Sequence, residues 1–164
     1  MSPRAAWRLE GLGFSEAYDY APSKADWFAA GLPMEGALAN VPTVGDMVRR
    51  AVPTCPPAEK VGEVYRRVRG TIWDRCVVVN EERVVLGLLR EKDLASDPEA
   101  TAEEAMRSGP ATVRPDTPAG KMVERMRKRG TASVLVTTPA GELVGLMYRE
   151  DAEHPAEIRS CEHA

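Results

Sequence analysis

The chain has 164 residues and a mass of 17.9 kDa, enough for one domain or two small ones with a real core. Its 43% apolar and 29% charged content excludes disordered, collagen-like and coiled-coil classes. A net charge of -3 argues against wholesale neutralisation of nucleic-acid phosphates, and apolar runs such as Val77 to Val79 fall far short of the ~20 residues that cross a bilayer.

From the N-terminus, Met1 to Arg8 carries positive charge with no signal-peptide core behind it, which makes the cytoplasm the expected location. Residues 1–40 stand apart from the remainder of the chain. Their phrase from Tyr18 to Gly36 resembles the closing helix of a rhodanese domain, and Trp27, Phe28 and Leu32 form an apolar helical patch suited to packing on the rest of the chain or on a partner. Rhodanese catalysis needs a thiolate in a loop of backbone N–H groups. Cys55 instead leads into Pro56-Pro57, Cys76 opens a strand and Cys161 lies near the end, so no catalytic set is expected. These three cysteines contain no CxxC pair, so neither a disulfide framework nor a zinc ribbon is expected.

Beyond residue 40 the chain repeats itself. Displacing it by 58 residues carries Thr43 onto Thr101, Arg49 onto Arg107, Thr54 onto Thr112, Gly87 onto Gly145 and Asp93 onto Asp151 without a gap. Each copy opens with a proline turn, Pro56-Pro57 or Pro115 to Pro118, because proline fits a first helical turn and not an interior. Next comes a helix on which Val61, Val64, Tyr65 and Val68, or Ala119, Met122, Val123 and Met126, keep the spacing of one face. Strands come after it over Cys76 to Val79 and Val84 to Leu89, then Ser133 to Thr137 and Leu143 to Met147, where β-branched residues collect. A second helix begins near Arg90 and Arg149, and Ser96-Asp97-Pro98 stops the first of these. The expected domains are a 1–40 extension, repeats over 41–98 and 99–153, and a flexible 154–164 tail. The two β-α-β-β-α repeats pack with internal pseudo-two-fold symmetry as one α/β module, since units this small rarely complete a core alone.

This order, with the phrases "TVRPDTPAGKMVERM" and "GELVGLMYRED", resembles the tandem cystathionine-beta-synthase (CBS) domain pair over about residues 41 to 153. The resemblance implies a non-enzymatic regulatory module binding an adenosine-containing ligand, AMP, ADP, ATP or S-adenosylmethionine, in clefts between the repeats. The alternative is a structural or interaction module without nucleotide. It also implies a homodimer, to which Tyr65, Val123 and Met126 would offer apolar surface, and a regulated protein partner. The family's glycine, two apolar residues, hydroxyl, two variable residues and aspartate read here as Gly87 to Asp93 and Gly145 to Asp151. Arg90 and Tyr148 stand where the hydroxyl belongs.

By that resemblance Asp93 and Asp151 would hold ribose hydroxyls, Arg90 at a helix start would hold phosphate, and Tyr148 would pack or touch ligand. Taken as ordinary residues, the aspartates are first-turn acids facing water, and Arg90 is a solvated side chain. The base would lie against Thr54, Cys55, Cys76 and Val77 in one copy, and Thr112, Val113, Val134 and Leu135 in the other. These are equally core positions. Basic runs at Arg66, Arg67 and Arg69 and at Arg125 to Arg129 read as solvated helix faces.

Overall fold

In each copy of the repeat a proline turn hands the chain to a helix, and the helix crosses to a β-hairpin. The computed structural model describes residues 3–18, 20–21, 23–36 and 40–153, so the 154–164 tail lies outside the described residues. Two helices precede the repeats, α1 (Pro3–Gly11) and α2 (Ser23–Ala29). In the first copy β1 (Thr54–Cys55) leads to α3 (Val61–Val68), whose Val61, Val64 and Val68 are buried along one face. Strands β2 (Arg75–Val79) and β3 (Val85–Arg90) then form an antiparallel hairpin, closed by the single turn α4 (Glu91–Leu94). Strand β1 lies parallel to β2, as a helical crossover requires.

The second copy opens with the turn α5 (Ala102–Ala105) and a short strand β4 (Arg107–Ser108). It repeats the order as β5 (Thr112–Val113), α6 (Ala119–Arg129), β6 (Ser133–Thr137), β7 (Leu143–Tyr148) and α7 (Arg149–Glu153). Helix α6 stops at Gly130, whose φ of 62° is left-handed and free of cost without a Cβ. The β-α-β-β-α order expected from periodicity is present in both copies.

The sequence repeat and the sheet are not the same unit. Strand β4, in the leading segment of the second copy, pairs with Gly87 and Leu88 of β3 in the first. Reciprocally, Arg49 pairs with Leu146 of β7: its N–H donates to the Leu146 carbonyl at 2.9 Å and its carbonyl accepts from the Leu146 N–H at 3.0 Å. The turns ahead of these edges dock the same way. The Val44 and Gly45 N–H groups donate to Thr117 and Pro115 carbonyls at 2.8 and 2.9 Å, while those of Ala102 and Glu103 donate to Glu59 and Pro57 at 2.8 and 3.0 Å. On the axis, Val85 N–H donates to Gly141 and Leu143 N–H to Arg83, at 3.0 and 2.9 Å. Apart from the Gly87–Ser108 pair, each of these contacts maps onto its counterpart under the 58-residue displacement, which is the pseudo-two-fold symmetry in hydrogen bonds.

Burial mirrors the exchange. Cys55, Val64, Val68, Cys76, Val78 and Leu89 form the first core together with Ala102 from the second copy's leading segment. Val113, Met122, Val123, Met126, Val134 and Met147 form the second together with Val44. Val77, Val79 and Leu88 meet Leu135, Leu143 and Leu146 between the sheets. Neither repeat finishes its core without residues from the other's leading segment. The apolar surface expected for a dimer is corrected here: Val123 and Met126 are only 9% and 1% exposed, because they point into their own sheet, and Tyr65 at 37% is left outside. At the N-terminus the Trp27 indole donates to the Pro33 carbonyl at 2.9 Å, and the Arg50 guanidinium donates to the Ala29 carbonyl at 2.8 Å. Thus α2, with Trp27 and Phe28 half-buried and Leu32 beyond its end exposed, is tied to the segment carrying Arg49.

The exchange also explains the paired glycines. A Cβ on Gly87 would collide with the Met106 side chain, and one on Gly145 with the Arg49 carbonyl oxygen and Val48 Cγ2. Methionine has rotamers to yield, whereas a carbonyl in a β-bridge has none. Gly87→Ala should therefore destabilise by about 1–3 kcal/mol, the usual cost of overpacking, and Gly145→Ala by more. Urea unfolding of the two variants checks the order.

Candidate functional site

Strand alternation splits the expected base-binding walls. Because β1 and β2 are in register at Thr54 with Val77, these two share the face between the sheets, and Thr112 with Leu135 share it in the second copy. Val77 and Leu135 belong to the central cluster there, with Thr54 half-buried and Thr112 exposed. Cys55 and Cys76 point the other way into the α3 core, and Val113 and Val134 into the α6 core. Period-two alternation thus turns these four side chains away from the face between the sheets.

The two thiols meet instead. A hydrogen bond from Cys55 and the nearby Arg67 guanidinium hold the Cys76 thiol below its ordinary value, and the same thiol contact with burial pushes Cys55 far up. Arg67 itself pairs with Glu59 at 2.7 Å and donates to the Thr54 carbonyl at 3.0 Å. It therefore fastens β1 to α3 rather than forming part of a free basic face.

The aspartates that come after the third strands are placed equivalently and engaged differently. Asp151 is 5% exposed and accepts a bidentate pair from Arg49, Nε to Oδ2 at 2.7 Å and Nη2 to Oδ1 at 2.5 Å. This carboxylate raises the Arg49 pKa. The Arg49 guanidinium lies 4.7 Å from the Tyr148 ring centre, and Arg75 lies 5.4 Å from the same ring. Tyr148 donates to Asp74 at 3.2 Å, Arg75 grips Asp74 at 2.5 and 2.6 Å, and Arg75 also reaches the Ser133 hydroxyl. The Arg75 guanidinium holds the Asp74 carboxyl below its ordinary range. Asp151 is thus neither a solvated first-turn acid nor a vacant acceptor. Tyr148 is a packing residue inside this network.

Asp93 is looser. Its Oδ2 accepts from the Arg90 N–H at 3.0 Å, and Arg107 Nε stands 3.5 Å from the same oxygen, beyond a hydrogen bond. Among the described residues its Oδ1 has no hydrogen-bond partner. Arg107 is 46% exposed, and Arg90 is exposed at the end of β3. The helix start expected to favour phosphate is corrected: α4 has four residues with Glu91 and Asp93 in its first turn, so little dipole remains and the charge rests on the guanidiniums. Arg49 and Arg107, which motif and periodicity do not place at the clefts, are visible in the sequence as a matched pair under the 58-residue displacement. A separate groove of about 330 Å³ at the end of α3, lined by Tyr65, Ile72, Trp73, Asp74 and Leu94, does not include either site aspartate. Among the described residues no cluster of histidine, cysteine and carboxylate side chains is arranged to hold a metal.

Two interlocked α/β repeats that each bring an aspartate close to an arginine from the other's leading segment define a tandem-repeat module. The CBS domain family model matches residues 44–99 and 102–152, and the chain belongs to that family. No curated protein sequence matches it. Among solved structures, the cytosolic domain of the Mg2+ channel MgtE in complex with ATP is 26% identical, with a TM-score of 0.62 over 71% of this chain. The match spans about half of that structure, 50% of its length. The protein CBSX2 in complex with AMP is 16% identical, with a TM-score of 0.63 over 70% of this chain and 96% of its own. The CBS domain pair of protein MJ0100, in complex with 5-methylthioadenosine and S-adenosyl-L-methionine, is 20% identical, with a TM-score of 0.60 over 70% and 95%.

Burial pushes the Tyr148 phenol up to about 12 from its ordinary 10.0. Since the folded value is the raised one, the stability this group contributes is full below pH 10 and is lost as pH rises through about 12. Spectrophotometric titration should show a late tyrosine step that disappears in Tyr148→Phe, together with part of the alkaline loss of stability.

Proposed function

We propose that the chain is a non-enzymatic regulatory module that binds an adenosine-containing ligand of the AMP, ADP, ATP or S-adenosylmethionine class. Its site is the Asp93 cleft. The observation that carries this reading is the Asp93 carboxylate, 15% exposed, with one oxygen unpartnered among the described residues and Arg107 just out of hydrogen-bond reach. Such a carboxylate accepts from ribose hydroxyls, and Arg107 with Arg90 supplies charge-assisted donors for phosphate. Family membership and the ATP, AMP and S-adenosylmethionine complexes of similar structures support the ligand class. Of the expected base contacts in this copy, Thr54 keeps partial exposure on the face between the sheets, while Val77 is fully buried there.

Calorimetric titration with AMP and ATP tests this. Arg90→Ala and Asp93→Ala should each weaken binding by roughly one to two decades, the loss of a charge-assisted hydrogen bond. Absence of heat from the wild type would favour the interaction module without nucleotide.

The proposal includes a cytoplasmic location and a homodimer that presents ligand occupancy to a regulated protein partner. Among the described residues no helix is long and apolar enough to cross a membrane. With Val123 and Met126 turned inward, the apolar surface for self-association is at Tyr65 and Ile72, which is 76% exposed. Light scattering should give twice the chain mass, and Ile72→Asp combined with Tyr65→Asp should return the monomer.

A further inference from the structure

Two positions related by the internal symmetry carry the same pair of residues, an arginine of the exchanged edge and an aspartate after the third strand, and only one pair has closed. Arg49 meets both oxygens of Asp151, whereas Arg107 stands 3.5 Å from one oxygen of Asp93. The neighbouring residues account for the difference. Tyr148 replaces Arg90 and places an aromatic face under the Arg49 guanidinium at 4.7 Å, where the equivalent position beside Arg107 carries another cation. Arg75 replaces Ser133 and lies over the same ring at 5.4 Å, anchored in turn by Asp74. Arg49 itself is fixed at both backbone groups by Leu146. A planar guanidinium, held bidentately on the carboxylate and covering an aromatic ring, occupies the acceptor that a ribose would need.

We propose that Arg49 is a built-in occupant of the second cleft: it fills Asp151 with the chain's own guanidinium, so that each chain takes one nucleotide, at Asp93, and not two. The ligand part of this statement rests on the function proposed above, while the closure of Asp151 does not. A bidentate pair on a carboxylate only 5% exposed couples strongly, and a single approach at 3.5 Å from an arginine 46% exposed hardly at all.

Two measurements separate the claims. In double-mutant cycles on urea unfolding, Arg49→Met with Asp151→Asn should show coupling of about tenfold or more in the unfolding constant. Arg107→Met with Asp93→Asn should show less than about twofold. Equal couplings overturn the proposal whether or not nucleotide binds. In calorimetry with AMP the wild type should bind one equivalent per chain, and Arg49→Met should gain a second. If Arg49→Met fails to fold, Tyr148→Thr, which removes the ring under the guanidinium, should raise the stoichiometry in its place. Two equivalents in the wild type overturn the proposal outright. No binding in any variant, with the unequal couplings intact, removes the nucleotide reading and leaves Asp151 closed by Arg49.

Discussion

The reciprocal edge is the constraint on which the rest of the structure depends. Two β-bridges, Arg49 on Leu146 and Arg107 on Leu88, complete each sheet with chain from ahead of the opposite repeat. An unpaired edge would leave a row of backbone donors and acceptors exposed. The crossings demand glycine at 87 and 145, deliver Ala102 and Val44 into the opposite cores, and bring an arginine over each aspartate. Core completion and site assembly are therefore one event.

Against that symmetric frame most side chains have diverged, and in the cores one apolar residue stands for another, as Met122 does for Val64 and Val134 for Cys76. Two differences change the chemistry beside the aspartates: Tyr148 opposes Arg90, and Arg75 opposes Ser133 under the displacement. The frame tolerates them because backbone hydrogen bonds, not side chains, carry the exchange. Electrostatics then diverges sharply. One aspartate sits in a chain of alternating charges and a ring, Asp151, Arg49, Tyr148, Arg75 and Asp74, while the other is a single carboxylate among exposed cations.

Local features were legible in the sequence. The faces of α3 and α6, the four hairpin strands to within a residue or two, and the correspondence of Gly87 with Gly145 all derive from short-range periodicity and from the repeat. What was not legible required knowing which strand lies beside which. Period two assigns Cys55 and Cys76 to one face and Thr54 and Val77 to the other, but only the helices on one side say which face is inside the repeat. The same limitation hid Val123 and Met126. A signal for the exchanged segments was present: Thr43 with Asp46 and Thr101 with Glu104 have the spacing of capping boxes. Their carboxylates accept from the threonine backbone N–H at 2.7 and 2.8 Å. Two short helical starts ahead of β-pairing segments mark the leading segment of each repeat, which serves the other's sheet.

The bridges that close the sheets would form as well between two chains as within one. A single copy of the repeat has a leading segment with no sheet to join and a sheet with no edge to receive it, and a second molecule satisfies both needs by the same geometry. The residues from Ala95 to Thr101 that link the copies convert that intermolecular fit into an intramolecular one. They raise the effective concentration of each edge toward the other by tethering. Tandem duplication of such a unit replaces a concentration-dependent assembly with a unimolecular one. It also frees the two halves to diverge, since identical subunits must carry identical clefts and a fused pair need not.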